Sequence, residues 1–113
     1  MANKEKGEKS FKALGKDWVL VYTTNSLCEM EDKSGKGAPE LFNDGKITSM
    51  RYLLWGALVE RHEDITLREC GNIIDELGME GLGKIVGSVF ELAFPDDVEP
   101  DGDADVGKIK AKA

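Results

Sequence analysis

The segment 47–62 constrains this chain more than any other. Met50, Leu53, Leu54, Ala57 and Leu58 recur at the three- and four-residue spacing of one helical face, and Tyr52, Trp55 and Val59 add a second face. A helix apolar on two sides does not lie along a surface with water on one flank. It is either the centre of a helical domain or shared with a partner. The spacing predicts a helix over 47–62, with Thr48 as its N-cap and Ile47 folding back as a hydrophobic staple. The longest apolar run, 52–59, falls far short of the ~20 residues that cross a bilayer, so no membrane partner is expected.

Around that helix the hydrophobic period changes. Ser10–Leu14 and Asp17–Thr23 read as two strands joined at Gly15-Lys16, a step suited to a hairpin whose first central residue has positive φ. Trp18, Leu20 and Tyr22 alternate with Val19, Val21 and Thr23, so the second strand is apolar on both faces. A two-stranded hairpin is marginal alone and must lie against helices. From Ser26 the period becomes helical, with Thr24 or Asn25 as cap, Leu27, Met30 and Cys28 inward, and Gly35 and Gly37 as the stop. Pro39–Phe42 reads as one helical turn, and Asn43-Asp44-Gly45 as a turn.

Thr66 and Glu69 form a Thr-x-x-Glu capping box ahead of the stripe Leu67, Cys70, Ile74 and Leu77, which Gly78 ends as a left-handed cap. A last helix is expected from about Glu80 to Ala93, with Leu82, Ile85, Val86, Val89 and Ala93 inward, Phe90 and Phe94 widening the stripe, and Pro95 ending it. Gly83 and Gly87, one turn apart there, would let another backbone come close. The fold class is therefore mainly α, in the α+β sense: a small domain of about four helices with an N-terminal two-stranded β-hairpin. The expected organisation is a disordered basic arm over 1–9, the hairpin and helices over 10–95, and a disordered acidic tail over 96–113.

At 113 residues there is room for one domain. Lys and Arg number 15 against 22 Asp and Glu, a net −7, which argues against nucleic acid as partner because phosphate binding needs surplus cations. The charged first residues do not form a signal peptide. The two cysteines, Cys28 and Cys70, belong to no Cys-x-x-Cys pair and read as reduced thiols of a cytoplasmic protein. With His62 as the one histidine, a zinc site lacks ligands.

Other chemistries also fail. Asp101, Asp103 and Asp105 alternate like the opening of a calcium loop, but Val106 stands where glycine is required and Lys112 where glutamate is. Gly83-Lys84 is followed by Ile85, which excludes a phosphate-binding P-loop. His62 lies beside Glu63 and Asp64 at a helix end, where a histidine complements the helix dipole, and no nucleophile accompanies it. Asp75 and Glu76 are adjacent on a helix and do not converge. No catalytic, cofactor-binding or metal-binding residues are assigned, and the expectation is a protein that is not an enzyme and needs no cofactor.

Several segments, taken in order, resemble a known family. They are the hairpin, then Thr-Thr-Asn-Ser-Leu-Cys-Glu-Met-Glu at 23–31, Arg-Tyr-Leu-Leu-Trp-Gly-Ala-Leu at 51–58, Asp-Ile-Thr-Leu-Arg-Glu-Cys-Gly at 64–71, and the closing Glu-Leu-Ala-Phe-Pro at 91–95. The chain thereby resembles the small tail assembly chaperones of long-tailed bacteriophages, of the type shared with gene transfer agents. Asn25, Leu27 and Glu31 match the family's first helix, 53–58 its Leu-Leu-x-x-Ala-Leu helix, and Ile65-Thr66 with Cys70-Gly71 its next step, where Cys70 replaces a smaller residue. The resemblance implies a phage or prophage protein of the host cytoplasm. Such a chaperone binds the tape-measure protein, keeps it soluble until the tail tube polymerises, and is then displaced. Other tail proteins are further partners to consider. The surplus apolar width makes Tyr52, Trp55, Val59, Phe90 and Phe94 the candidate surface for that partner or for self-association. A structural tail or head-tail connector component, and an acidic regulatory module, are the competing readings.

Overall fold

The computed structural model describes residues 7–94. Two antiparallel strands, β1 (Lys9–Ala13) and β2 (Lys16–Leu20), open the domain. Four helices follow: α1 (Thr24–Ser34), α2 (Ala38–Asn43), α3 (Ile47–Leu58) and α4 (Leu67–Ala93). The architecture is the expected helical domain with an N-terminal hairpin. Among the described residues no helix is long and apolar enough to cross a membrane.

The centre is α3, as its two apolar faces require. It packs against α1, α2, α4 and β2. Leu53, Leu54, Ala57 and Leu58 are wholly buried, each leucine contributing about 1.5–3 kcal/mol relative to exposure. Gly56 faces α1 so closely that a Cβ there would overlap the Met30 thioether and lie 3.0 Å from Met30 Cγ. Glycine at this point is what lets α1 and α3 touch.

Several element boundaries differ from expectation, each for a local reason. The hairpin turns at Leu14-Gly15, one residue earlier than Gly15-Lys16, with Ala13 opposite Lys16. Both turn residues have positive φ, 56° at Leu14 and 70° at Gly15, the twist that suits a two-residue hairpin. A non-glycine residue in that region costs roughly 1–2 kcal/mol. The Leu14 N–H gains a carboxylate partner, Glu76 Oε1 of α4, at 3.0 Å.

The cap of α1 is Thr23, not Thr24 or Asn25, because Ser26 supplies the return bond. Ser26 N–H donates to Thr23 Oγ1 at 3.0 Å and Thr23 N–H to Ser26 Oγ at 2.8 Å. Helix α3 begins at Ile47, so Thr48 lies inside it and Ile47 is 68% exposed and staples nothing. Lys46 stands at the cap with no side-chain bond to the first turn, and Asp44 before it braces the entry, accepting from Lys46 N–H at 2.9 Å and from the Ser49 hydroxyl at 2.6 Å. The helix ends at Leu58 rather than His62. The chain then tightens, with both Arg61 N–H and His62 N–H on the Leu58 carbonyl, and this turns the His62 ring toward the hairpin.

The Thr66–Glu69 box forms as the spacing predicts, with Glu69 N–H on Thr66 Oγ1 at 3.0 Å. Gly78 is not the left-handed helical cap expected: at φ 83° and ψ 157° it is extended with positive φ, a conformation open essentially to glycine alone. It breaks the helical path, and the chain resumes the helix directly rather than after a linker, so α4 is two helical halves meeting at a kink. The last three residues of the expected arm belong to the fold. Glu8 is buried beneath Arg61, and Lys9 opens β1. Residues 1–6, Pro95 and the expected tail, with Asp101, Asp103 and Asp105, lie outside the described residues.

Candidate functional site

Of the five candidate surface residues, the isolated fold uses three for its own core. Trp55 is 8% exposed, Val59 7% and Phe90 2%. The Trp55 indole N–H donates to the Ile65 carbonyl at 3.2 Å, and the Lys33 ammonium lies 5.2 Å from its ring centre. Phe90 meets Tyr22 edge-on at 6.2 Å between ring centres. Of the five, Tyr52 and Phe94 stay open in this conformation, both half-buried.

These two open onto different places. Phe94 ends a row of three rings, with Phe42–Phe90 centres 4.4 Å apart and Phe90–Phe94 centres 4.7 Å apart. The row runs from the core at Phe90 to half-exposed rings at both ends. Phe42 is not among the candidates; its place in the row depends on α2 setting it against Phe90 of α4, which no local pattern reveals. Tyr52 borders a hollow of about 240 Å³ with Leu41, Lys36, Lys46, Thr48 and Ser49. Among the described residues the most exposed large apolar side chains are Ile47, Leu14 at 47% and Met79 at 43%. All three stand at element ends, where hydrophobic periodicity says little.

Asp44 is the most strongly stabilised carboxylate near that hollow. Its hydrogen bonds from the Ser49 hydroxyl, then Lys46 N–H and Lys36, lower its pKa to about 2. The Cys70 thiol is fully buried and pushed up to about 12, first by desolvation and then by Glu69, against a smaller opposite effect of Arg51. It behaves as a small core side chain. Cys28, expected to face inward, is exposed because it lies on the water side of α1, away from Met30. The Tyr22 hydroxyl donates to the Leu53 carbonyl at 2.6 Å, and burial raises its pKa.

A larger hollow, about 460 Å³, lies where β2, the end of α3 and the start of α4 meet. Lys16, Trp18, Glu60, Arg61, His62, Glu63, Asp64, Ile65 and Glu69 line it. Here the dipole reading of His62 is corrected. Its Nε2 accepts the Val19 N–H at 3.0 Å, so the ring is a neutral acceptor rather than a cation at a helix end. Its ring centre is 4.9 Å from that of Trp18. Arg61 turns the other way, to Glu8, through Nε at 2.8 Å and through Nη2. Glu60 accepts from the Thr23 hydroxyl at 2.9 Å. Among the described residues no group of three His, Cys, Asp or Glu side chains could hold a metal ion.

No protein-family model, curated protein or solved structure matches the chain.

Proposed function

We propose that this protein is a tail assembly chaperone of a long-tailed phage or prophage, which captures the tape-measure protein and keeps it soluble before the tail tube polymerises. The observation that carries the reading is the row Phe42–Phe90–Phe94, anchored in the core and half-exposed at both ends, on a chain of net charge −7. Aromatic rings fixed at one edge offer an apolar foothold to a helix at little cost in side-chain entropy. The surrounding negative charge keeps the resulting complex soluble. The residues that carry the family resemblance support the same reading: Asn25, Leu27 and Glu31 fall on α1, 53–58 on α3, and Cys70-Gly71 on the first turns of α4.

The test is co-expression with the tape-measure product, a long helix-rich chain. The expected result is that this product becomes soluble and co-purifies. Phe94→Ala and Tyr52→Ala should fold and capture less of it. A folded wild-type chain that leaves the product insoluble overturns the reading. So does finding the chain as a permanent component of purified particles by mass spectrometry, which would favour a tail or head-tail connector component. An acidic regulatory module is the second reading, favoured by the hollow lined with Glu60, Glu63, Asp64 and Glu69. Binding through those carboxylates should weaken steeply with ionic strength, whereas apolar capture should not.

A further inference from the structure

We propose that His62 is a proton-operated latch on the hairpin: with a neutral ring it fastens β2 to the helical core, and on protonation it lets go. The argument begins with the register. Ala13 opposite Lys16 flanks the two-residue turn, so Ala13–Lys16, Phe11–Trp18 and Lys9–Leu20 are the pairs that exchange bonds between the strands. Val19 therefore points its N–H away from β1, as does Val21 just past the end of β2. Val21 N–H reaches the Ala57 carbonyl of α3 at 2.8 Å, and Val19 N–H reaches His62 Nε2 at 3.0 Å. One of these fastenings ends on a carbonyl, which does not titrate in this range. The other ends on an imidazole, which does.

A ring nitrogen that accepts an N–H bond carries no proton, so the proton of the neutral ring is on Nδ1. Protonation turns Nε2 into a donor facing another donor. The Val19 N–H then loses its partner at a half-buried position, and two N–H groups oppose each other across 3.0 Å. The imidazolium also has somewhere to go. Glu60, Glu63 and Asp64 from the chain after α3, and Glu69 from the first turn of α4, line the same hollow. Against them stand Lys16 of β2 and Arg61, whose guanidinium Glu8 already holds. The carboxylates draw a charged ring outward, while Lys16 repels it where it now lies.

Desolvation, and then Lys16, hold the His62 pKa below its ordinary value. The unfolded or unlatched chain therefore binds the proton more tightly. The latch contributes fully above about pH 6.5 and is lost as pH falls through the lowered value. The response is local because a two-stranded hairpin has little stability of its own, while α3 and α4 retain their core.

The experiment is an NMR titration of the full chain from about pH 8 to about pH 5, following the imidazole nitrogens and the exchange protection of individual amides. The expected result is an unprotonated Nε2 at the alkaline end, and a roughly tenfold loss of Val19 protection as His62 titrates, with Leu54 of α3 unchanged. His62→Gln, whose amide oxygen can accept the same bond without titrating, should keep Val19 protected at both ends. His62→Phe should leave Val19 weakly protected throughout. A proton on Nε2 at about pH 8 overturns the proposal. So does Val19 protection that ignores the titration or matches between wild type and His62→Phe. A loss shared equally by Leu54 also overturns it, because that is global unfolding.

Discussion

Helix α3 and the second half of α4 are both lined with apolar residues and both contain glycine, yet glycine does opposite things in them. In α3, Gly56 is packed against Met30 and any side chain there meets the body of a buried residue. In α4, a Cβ added at Gly83 or Gly87 would meet nothing within 4 Å. The first glycine is required by contact inside the chain. The other two weaken their helix with no contact inside the domain to account for them. Periodicity treats the two helices alike; only the neighbours separate them.

The largest test of this contrast is Trp55→Ala. Removing a buried indole from the central helix should cost about 3–5 kcal/mol in denaturant unfolding, whereas Phe94→Ala at the outer end of α4 should cost much less. Equal losses would remove α3 from the centre. Next come the constrained glycines. Gly56→Ala forces Met30 to move in a full core and should cost about 1–3 kcal/mol, even after the gain in helix propensity. Gly78→Ala must adopt φ 83° or straighten the kink, and should also lose about 1–3 kcal/mol. If either substitution is neutral, the close approach or the kink is not required.

Smaller and of opposite sign, Gly83→Ala and Gly87→Ala should each stabilise the isolated protein by up to ~1 kcal/mol. If both stabilise the chain and impair capture of the tape-measure protein, that face receives a foreign backbone. The smallest effect is electrostatic. Asp44 has a lowered folded pKa, so its contribution is present above the ordinary carboxylate value and is lost as pH falls toward about 2. Asp44→Asn should be less stable at neutral pH and should show a shallower decline below about pH 4 than wild type.

Local chemistry was legible; long-range pairing was not. The Thr66–Glu69 box, the stop at Gly35, the breaking role of Gly78 and the central place of α3 follow from spacing within one or two turns. The Thr23 cap was missed because its partner at the third helical position is Ser26 rather than a glutamate. The fastenings of the hairpin join residues far apart in sequence: Val19 to His62, Glu8 to Arg61 and Leu14 to Glu76. No periodicity announces such bonds, since each depends on where a helix end or a helix face arrives in space. The same limit applied to the candidate surface. Apolar width shows in the pattern, but what covers it does not: Trp55 meets Ile65 and Lys33 of α1, and Phe90 meets Tyr22 and Phe42 of α2, elements whose placement the pattern leaves open.

The contact between Trp18 and His62 gives the molecule an optical readout. A protonated imidazole quenches an excited indole much more strongly than a neutral one. Emission from Trp18 therefore depends on acidity with no label attached, dimming while a charged ring is still in contact and recovering once the unlatched ring departs.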